Sequence, residues 1–305
     1  MSADYHEKPI EGIRVATLAL NVPGPVAAAR LHQLGASVTK IEPPIGDPLT
    51  RYCPAWYRKL AAGQNVIRLD LRDSTERMRF DKIVEETDLL LTSSRPASLA
   101  RLGLAWPQLH SRYPRLNQVA IVGSPAPKEN VAGHDLTYQA ALGLLVPPHL
   151  PRTLLADLAS AERAVSMAMA LLFARERVRR SGYAEVSLVE ASAPFADPLH
   201  HGLTVPGALL GGGLPGYNIY RAQQGWIALA ALEPHFWQRL LEIFELETGT
   251  REELEKRFLL RSADDWEEWG AVHDIPIAAV RDETSMHSSK ITFEEELDSK
   301  EHRDC

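Results

Sequence analysis

The sequence predicts an α/β protein in which a large parallel-sheet domain is followed by a smaller α+β domain. Short apolar runs alternate with helix-like stretches up to about residue 190, and several of these runs are apolar at every central position. A stretch rich in Pro and Gly then separates them from a second, shorter series of elements. Strands covered by helices on both faces have such continuous apolar runs, and a strand–helix–strand order favours parallel pairing.

The first elements predict one strand–helix–strand unit. Residues 13–18 form a predicted strand, and residues 26–34 are rich in Ala and Leu, as a helix would be. The segment Asn21–Pro25 is predicted to be the turn between them, and Gly35 to end the helix in a left-handed conformation. A second strand follows at residues 38–41, so the domain is predicted to be Rossmann-like.

The alternation continues along the large domain. Further strands are predicted at residues 66–71, 88–91, 116–122 and 184–188, and further helices at residues 74–86, 95–102, 106–112 and 160–180.

The second series of elements predicts a smaller domain. It contains a strand at 226–231, helices at 234–244, 251–260 and 263–273, and a short apolar segment at 275–277. The predicted boundaries are therefore a large domain over 1–193, a linker with a Gly-rich loop over 194–217, a small domain over 218–280 and an acidic tail over 281–305. The tail is mostly polar and contains Glu294-Glu295-Glu296, which predicts disorder or a truncated return segment.

Composition excludes several classes of function. The 305 residues carry a net charge of −7, whereas a general nucleic-acid binder needs a basic face. No apolar run reaches the roughly 20 residues that cross a bilayer. The two cysteines, Cys53 and Cys305, form no CxxC motif, and the eleven histidines follow no metal-ligand spacing. We therefore predict a cytoplasmic protein without a metal site that binds neither nucleic acid nor a membrane.

Two residues suggest proton-transfer chemistry. His134 lies in the segment Gly-His-Asp, and an imidazole changes its protonation state near neutral pH. Asp157 follows 23 residues later, in front of a predicted helix. A plainer interpretation of each stays open, because His134 could be a surface residue and aspartate is a favoured helix N-cap.

Other candidates carry weaker signals. Glu233 follows a predicted strand and could either start a helix or orient an imidazole. The run Gly211-Gly212-Gly213 could cradle a phosphate or thioester, or be a flexible linker. Arg95 and Arg101 could meet anionic groups or be solvated. The first predicted turn lacks GxGxxG, so no dinucleotide fingerprint is present.

The order and spacing of several segments resemble one family over roughly residues 9–282. The chain resembles the family III CoA-transferases (CaiB/BaiF), which include α-methylacyl-CoA racemase, and its Leu-Glu-Pro-His-Phe-Trp segment at 232–237 is closest to the racemases. The segments that carry the resemblance are residues 10–15, 34–48, Leu69-Asp70-Leu71, Arg95-Pro96, residues 101–104, Gly133-His134-Asp135, Ser181-Gly182 and residues 275–277.

The resemblance implies a role for each candidate. His134 and Asp157 match the racemase acid/base pair, and Glu233 matches the acid that bonds the histidine. Arg95 and Arg101 would face the CoA phosphates, and Gly212 and Gly213 would belong to the racemase loop that meets the ligand. A CoA thioester is the implied substrate, no cofactor is bound covalently, and the implied assembly is an interlocked homodimer.

Three hypotheses follow for the activity. The leading one is a racemase that exchanges the α-proton of 2-methylacyl-CoA thioesters by two-base catalysis. The second is a CoA-transferase in which Asp157 is the nucleophile. The third is a catalytically weakened CoA-binding homologue, because Leu158-Ala159-Ser160 stands where racemases have glycines after the aspartate.

Overall fold

The computed structural model describes residues 8–281, which divide into two compact units after Asp197. The strands of the first unit are β1 Arg14–Thr17, β2 Ser37–Glu42, β3 Asn65–Arg68, β4 Leu89–Thr92, β5 Asn117–Val122 and β6 Tyr183–Ser187. Its helices are α1 Pro23–Gln33, α2 Leu49–Tyr52, α3 Pro54–Ala61, α4 Ser74–Glu85, α5 Pro96–Arg101, α6 Trp106–Arg112, α7 Asp135–Ala141, α8 Leu155–Val178 and α9 Leu188–His200, the last of which continues past the division.

The six strands form one sheet in the order β3-β2-β1-β4-β5-β6, and every neighbouring pair is parallel. The strands before β4 are added towards one edge of the sheet and the later strands towards the other. This reversal of strand order lies between β1 and β4, where Val15 pairs with Leu89. In open parallel sheets, ligands bind outside the carboxyl ends of the strands at this reversal. The predicted parallel-sheet fold class is confirmed.

The two faces of the sheet are buried under separate helices. Leu89 and Leu91 of β4 belong to the apolar cluster formed with α1 and α8, whereas Leu90 packs with Phe80 on the opposite face. All three leucines are fully buried. Each contributes roughly 1.5–3 kcal/mol by burial, which explains why the strand is apolar at every central position.

The first helix begins earlier than predicted. Pro23 is its first residue, so Pro23-Gly24-Pro25 forms the first helical turn and not a break. Proline fits there because the first helical N–H has no intrahelical partner. Gly24 is required as well, because a Cβ on it would lie 2.0 Å from the Cβ of Ala19. Gly35 has φ +109°, as predicted for the residue after the helix.

The start of the predicted linker is helical. Helix α9 continues through Pro194 and Pro198 to His200, whereas residues 194–200 were predicted to be linker. Pro194 has no N–H for the carbonyl of Glu190, one turn earlier, and the Arg163 guanidinium donates to that carbonyl at 3.5 Å.

The second unit is an antiparallel three-stranded sheet with helices on it. The strands β7 Tyr217–Arg221, β8 Trp226–Ala230 and β9 Ile277–Ala279 pair in this order, and β7 was not predicted. The helices are α10 Pro234–Phe244, α11 Arg251–Phe258 and α12 Ala263–His273. The core is aromatic, with Phe244, Phe258 and Trp266 in mutual ring contact. The predicted acidic tail lies outside the described residues, except for Arg281.

Among residues 8–281, no helix has both the length and the apolar character that a membrane crossing requires.

Candidate active site

A cavity of about 320 Å³ lies at the carboxyl ends of the strands in the first unit. Its wall includes Asn21 after β1, Ser93 and Arg95 after β4, and Gly123 after β5. It therefore lies at the reversal of the strand order, where the fold predicts a ligand site. Its polar lining also includes Glu129, His134, Tyr138 and Asp157, so the structure brings His134 and Asp157 together.

His134 is held at a loop-to-helix junction. It is the N-cap residue of α7, and its backbone N–H donates to the Thr137 hydroxyl at 3.1 Å. The same hydroxyl donates to the His134 carbonyl at 2.8 Å. These two bonds fix the backbone while the side chain stays exposed, which leaves the imidazole available to a ligand.

The plainer interpretation of Asp157, as the N-cap of its helix, is wrong. Helix α8 begins at Leu155, five residues earlier than predicted, so Asp157 lies inside its first turn. The cap comes from Asp135, whose Oδ1 accepts from the backbone N–H groups of Ala156 at 2.7 Å and Asp157 at 3.1 Å. The other oxygen of Asp135 accepts from Gln139 at 2.6 Å.

Asp135 connects the two candidate segments, although its position in the sequence predicted no role for it. Its carboxylate is buried, and it ties the helix after His134 to the helix that carries Asp157. A buried carboxylate needs such donors. Because Asp135 accepts from the first turn of α8, it holds the segment that follows His134 against the helix that carries Asp157. Because Asp135 caps α8, the Asp157 carboxyl does not have to cap this helix, and Asp157 lines the cavity.

The cavity perturbs the protonation of Asp157. Burial raises the pKa of its carboxyl to about 7, and the charge of Asp135 adds to the effect. Removing water from around a carboxyl disfavours its ionised form, as does a neighbouring negative charge. At neutral pH, Asp157 is therefore present in both protonation states and can either donate or accept a proton.

This pKa has a consequence for stability. A carboxyl whose folded pKa is raised stabilises the fold below its unfolded pKa, and the contribution is lost as the pH rises through 7. We expect Asp157→Asn to leave the free energy of unfolding nearly unchanged at pH 4 and to increase it by about 1–3 kcal/mol at pH 8.5. Urea unfolding at both pH values measures this difference, and the exposed Asp197→Asn serves as the control. A gain of equal size at both pH values would contradict the raised pKa.

The three residues after Asp157 turn away from the cavity. Ser160 is fully buried and its hydroxyl donates to the Asp157 carbonyl at 2.9 Å. Ala159 packs against the main core cluster and Leu158 against the cluster of Val22. None of the three lines the cavity, so the loss of the racemase-type glycines does not fill it.

The two candidate arginines differ in position. Arg95 lines the cavity. Arg101 lies in the last turn of α5, where its guanidinium donates to the Ser98 hydroxyl at 3.1 Å, and it does not line this cavity. A second cavity of about 240 Å³ opens at the ends of the neighbouring strands, with Leu69 and Leu99 in its mostly apolar lining, and Leu20 lines both cavities.

Glu233 and the glycine run belong to the second unit. Glu233 follows β8 and precedes α10, its side chain is exposed, and it makes no capping hydrogen bond. A Cβ on Gly211 would lie 1.9 Å from the Val205 carbonyl oxygen, and Gly212 has φ +94°, so packing of the loop itself requires glycines. The roles of Glu233, Gly212 and Gly213 at the site stay predictions.

The chain belongs to CoA-transferase family III, whose family profile matches residues 10–304. Human α-methylacyl-CoA racemase is 28% identical over 277 residues, which cover 85% of this chain and 69% of that protein. The succinyl-CoA–D-citramalate CoA-transferase of Chloroflexus aurantiacus is 26% identical over 279 residues, which cover 82% and 69%. The predicted family is confirmed, and its members are enzymes that act on CoA thioesters.

A solved structure has the same fold. The hypothetical protein Rv3272 of Mycobacterium tuberculosis superposes with a TM-score of 0.80 at 22% identity, over 95% of this chain and 90% of that one.

Proposed function

We propose that this protein is a racemase that exchanges the C2 proton of 2-methylacyl-CoA thioesters. The observation that carries the proposal is the pairing of His134 with Asp157, whose pKa is raised to about 7, in one cavity. A two-base exchange needs one protonated and one unprotonated group, and the raised pKa leaves part of the Asp157 carboxyl protonated near neutral pH.

The reaction proceeds through an enolate. In one direction, neutral His134 takes the C2 proton, the electrons of the broken C–H bond form a C1–C2 double bond, and the carbonyl π electrons move onto the thioester oxygen. Protonated Asp157 then delivers its proton to C2 from the opposite face, which inverts the centre. In the other direction the two groups exchange roles, so the enzyme needs no cofactor to move the electrons.

Residues around the His134–Asp157 pair would position the pair and bind the CoA part of the substrate. Asp135 fixes the backbone of Asp157 through the helix cap, and Arg95 faces the CoA phosphates at the mouth of the cavity. The adjoining apolar cavity is suited to the nucleoside end of the same ligand, because planar bases bind in apolar clefts with few polar groups. Glu233 would hold the tautomer of His134, as the family resemblance implies.

C2 deuterium uptake from D₂O by a 2-methylacyl-CoA tests the proposal. We expect uptake with the folded protein at millimolar substrate, and loss of optical activity at a comparable rate. Absence of uptake, with acyl-CoA binding demonstrated by calorimetry, would exclude the racemase.

A CoA-transferase is the second candidate, because the chain is about as similar to a transferase as to a racemase. In this reaction the ionised Asp157 attacks the thioester carbonyl, the C–S bond breaks, and CoA thiolate leaves an aspartyl anhydride. Hydroxylamine would trap that anhydride, and CoA exchange between two acids would continue in His134→Ala. A protein that binds acyl-CoA but shows neither reaction would be the weakened homologue.

Arg95 provides a separate test of CoA binding. A charge-assisted hydrogen bond to a phosphate contributes roughly 1.5–3 kcal/mol, so we expect Arg95→Ala to raise the KM for acyl-CoA by about 10-fold or more, with little change in kcat. Arg101→Ala is the matched control from the same helical segment, and we expect its KM to stay near that of the wild type. A larger increase in KM for Arg101→Ala than for Arg95→Ala would assign the phosphate contact to Arg101 instead.

A further inference from the structure

Tyr138 is a buried tyrosine whose hydroxyl reaches the candidate active site. Its side chain is 7% exposed and belongs to the core cluster between the sheet and α8, yet the residue lines the same cavity as His134 and Asp157. The hydroxyl is not among the fully enclosed polar atoms of the described residues that lack a hydrogen-bond partner.

Two glycines form a slot for this hydroxyl. A Cβ on Gly123 would lie 2.1 Å from the Tyr138 oxygen, and a Cβ on Gly133 would lie 2.3 Å from it. Gly123 follows β5 and Gly133 precedes His134. The absence of side chains at both positions lets the phenol reach between the two backbones, which also explains the glycine of Gly-His-Asp.

The hydroxyl is held in place and has no hydrogen-bond partner within the described part of the first unit. Buried polar groups are ordinarily hydrogen-bonded, so a phenol without a partner beside a cavity is able to donate to a ligand there.

The surroundings keep the phenol protonated. Burial raises the pKa of Tyr138, the charge of Asp157 raises it further, and the opposing effect of Arg95 is smaller. At neutral pH the hydroxyl therefore carries its proton and donates a hydrogen bond.

We propose that the Tyr138 hydroxyl donates a hydrogen bond to the thioester oxygen of the bound acyl-CoA as negative charge develops there. The inference rests on the proposed function, which requires such a donor because an isolated thioester enolate is too high in energy to form. His134 takes the C2 proton, the C–H electrons form the C1–C2 double bond, and the charge moves to the oxygen. Tyr138 keeps its own proton throughout, and Asp157 supplies the proton that returns to C2.

Tyr138→Phe tests the donor with the ring packing intact. Removing one oxyanion donor costs roughly 10²–10³ in rate, so we expect kcat for C2 exchange to fall by about 100-fold while KM changes less than 3-fold. Tyr113→Phe is the matched control, because Tyr113 is also buried in the first unit but does not line this cavity. Wild-type exchange in Tyr138→Phe, or a loss expressed in KM alone, would overturn the inference.

A binding measurement tests the role of the Tyr138 hydroxyl even if the racemase proposal fails. If the wild type shows no C2 exchange, the racemase fails, and 3-fluorotyrosine at position 138 then decides the role of the hydroxyl. We expect saturation with acetyl-CoA to shift the ¹⁹F resonance at position 138 and to leave that of 3-fluorotyrosine at position 113 unchanged. No shift at 138 at saturation, or no binding of acetyl-CoA, would overturn the inference.

Discussion

Replacement of His134 by alanine is expected to lower C2 proton exchange by about 10³-fold, within the 10²–10⁴ range typical of general acid–base groups. The side chain is exposed at the cavity and the backbone is held by Thr137, so the loss of the ring should leave the fold intact. Deuterium incorporation measured by NMR gives the rate, and circular dichroism checks the fold.

His149→Ala is the matched control for this variant. His149 is also exposed, and it does not line the cavity with Asp157, so its replacement should leave the exchange rate unchanged. CoA exchange that survives in His134→Ala would support the transferase, whereas equal loss in both histidine variants would contradict a specific role for His134.

Replacement of Asp135 by alanine is expected to destabilise the first unit by about 2–3 kcal/mol. The change removes the cap of α8 and the bond from Gln139, and it leaves buried donors without an acceptor. The first turn of α8 carries Asp157, so we also expect exchange to fall at least 10-fold, even under conditions where the variant is fully folded. Urea unfolding and deuterium uptake measure the two effects.

Asp73→Ala separates capping from catalysis. Asp73 caps α4 by accepting from the backbone N–H groups of Thr75 and Glu76, both at 2.9 Å, and it does not line the cavity. We expect its replacement to cost about 1 kcal/mol and to leave exchange unchanged. An Asp135 variant that is destabilised but fully active would contradict the role of Asp135 in positioning Asp157.

The sequence predicted helices more accurately where their boundary signals were local. Helices α6, α10 and α12 begin and end at the predicted residues. Pro at the first helical positions of α6 and α10, and a Ser262 capping box before α12, lie within a few residues of the ends that they mark. Helix α8 was predicted five residues short, because its cap comes from a residue 20 positions before its first residue.

The short strand β7 was missed for a related reason. Its residues Tyr217–Arg221 alternate only weakly, and the strand is defined by its pairing with β8, in which Tyr220 lies opposite Ile227. Pairing between strands depends on backbone atoms, which leave little trace in the identity of the side chains.

By itself, the sequence determined the α/β class, the family and the identity of His134 and Asp157 as candidates, since these depend on local apolar patterns and on motif spacing. Only the tertiary structure decided that the two side chains share a cavity and that Asp135, not Asp157, caps α8. It also decided that Leu158, Ala159 and Ser160 turn away from that cavity. These features depend on which segments the parallel sheet brings together at its carboxyl edge. Burial there, which no local pattern measures, raises the pKa of Asp157.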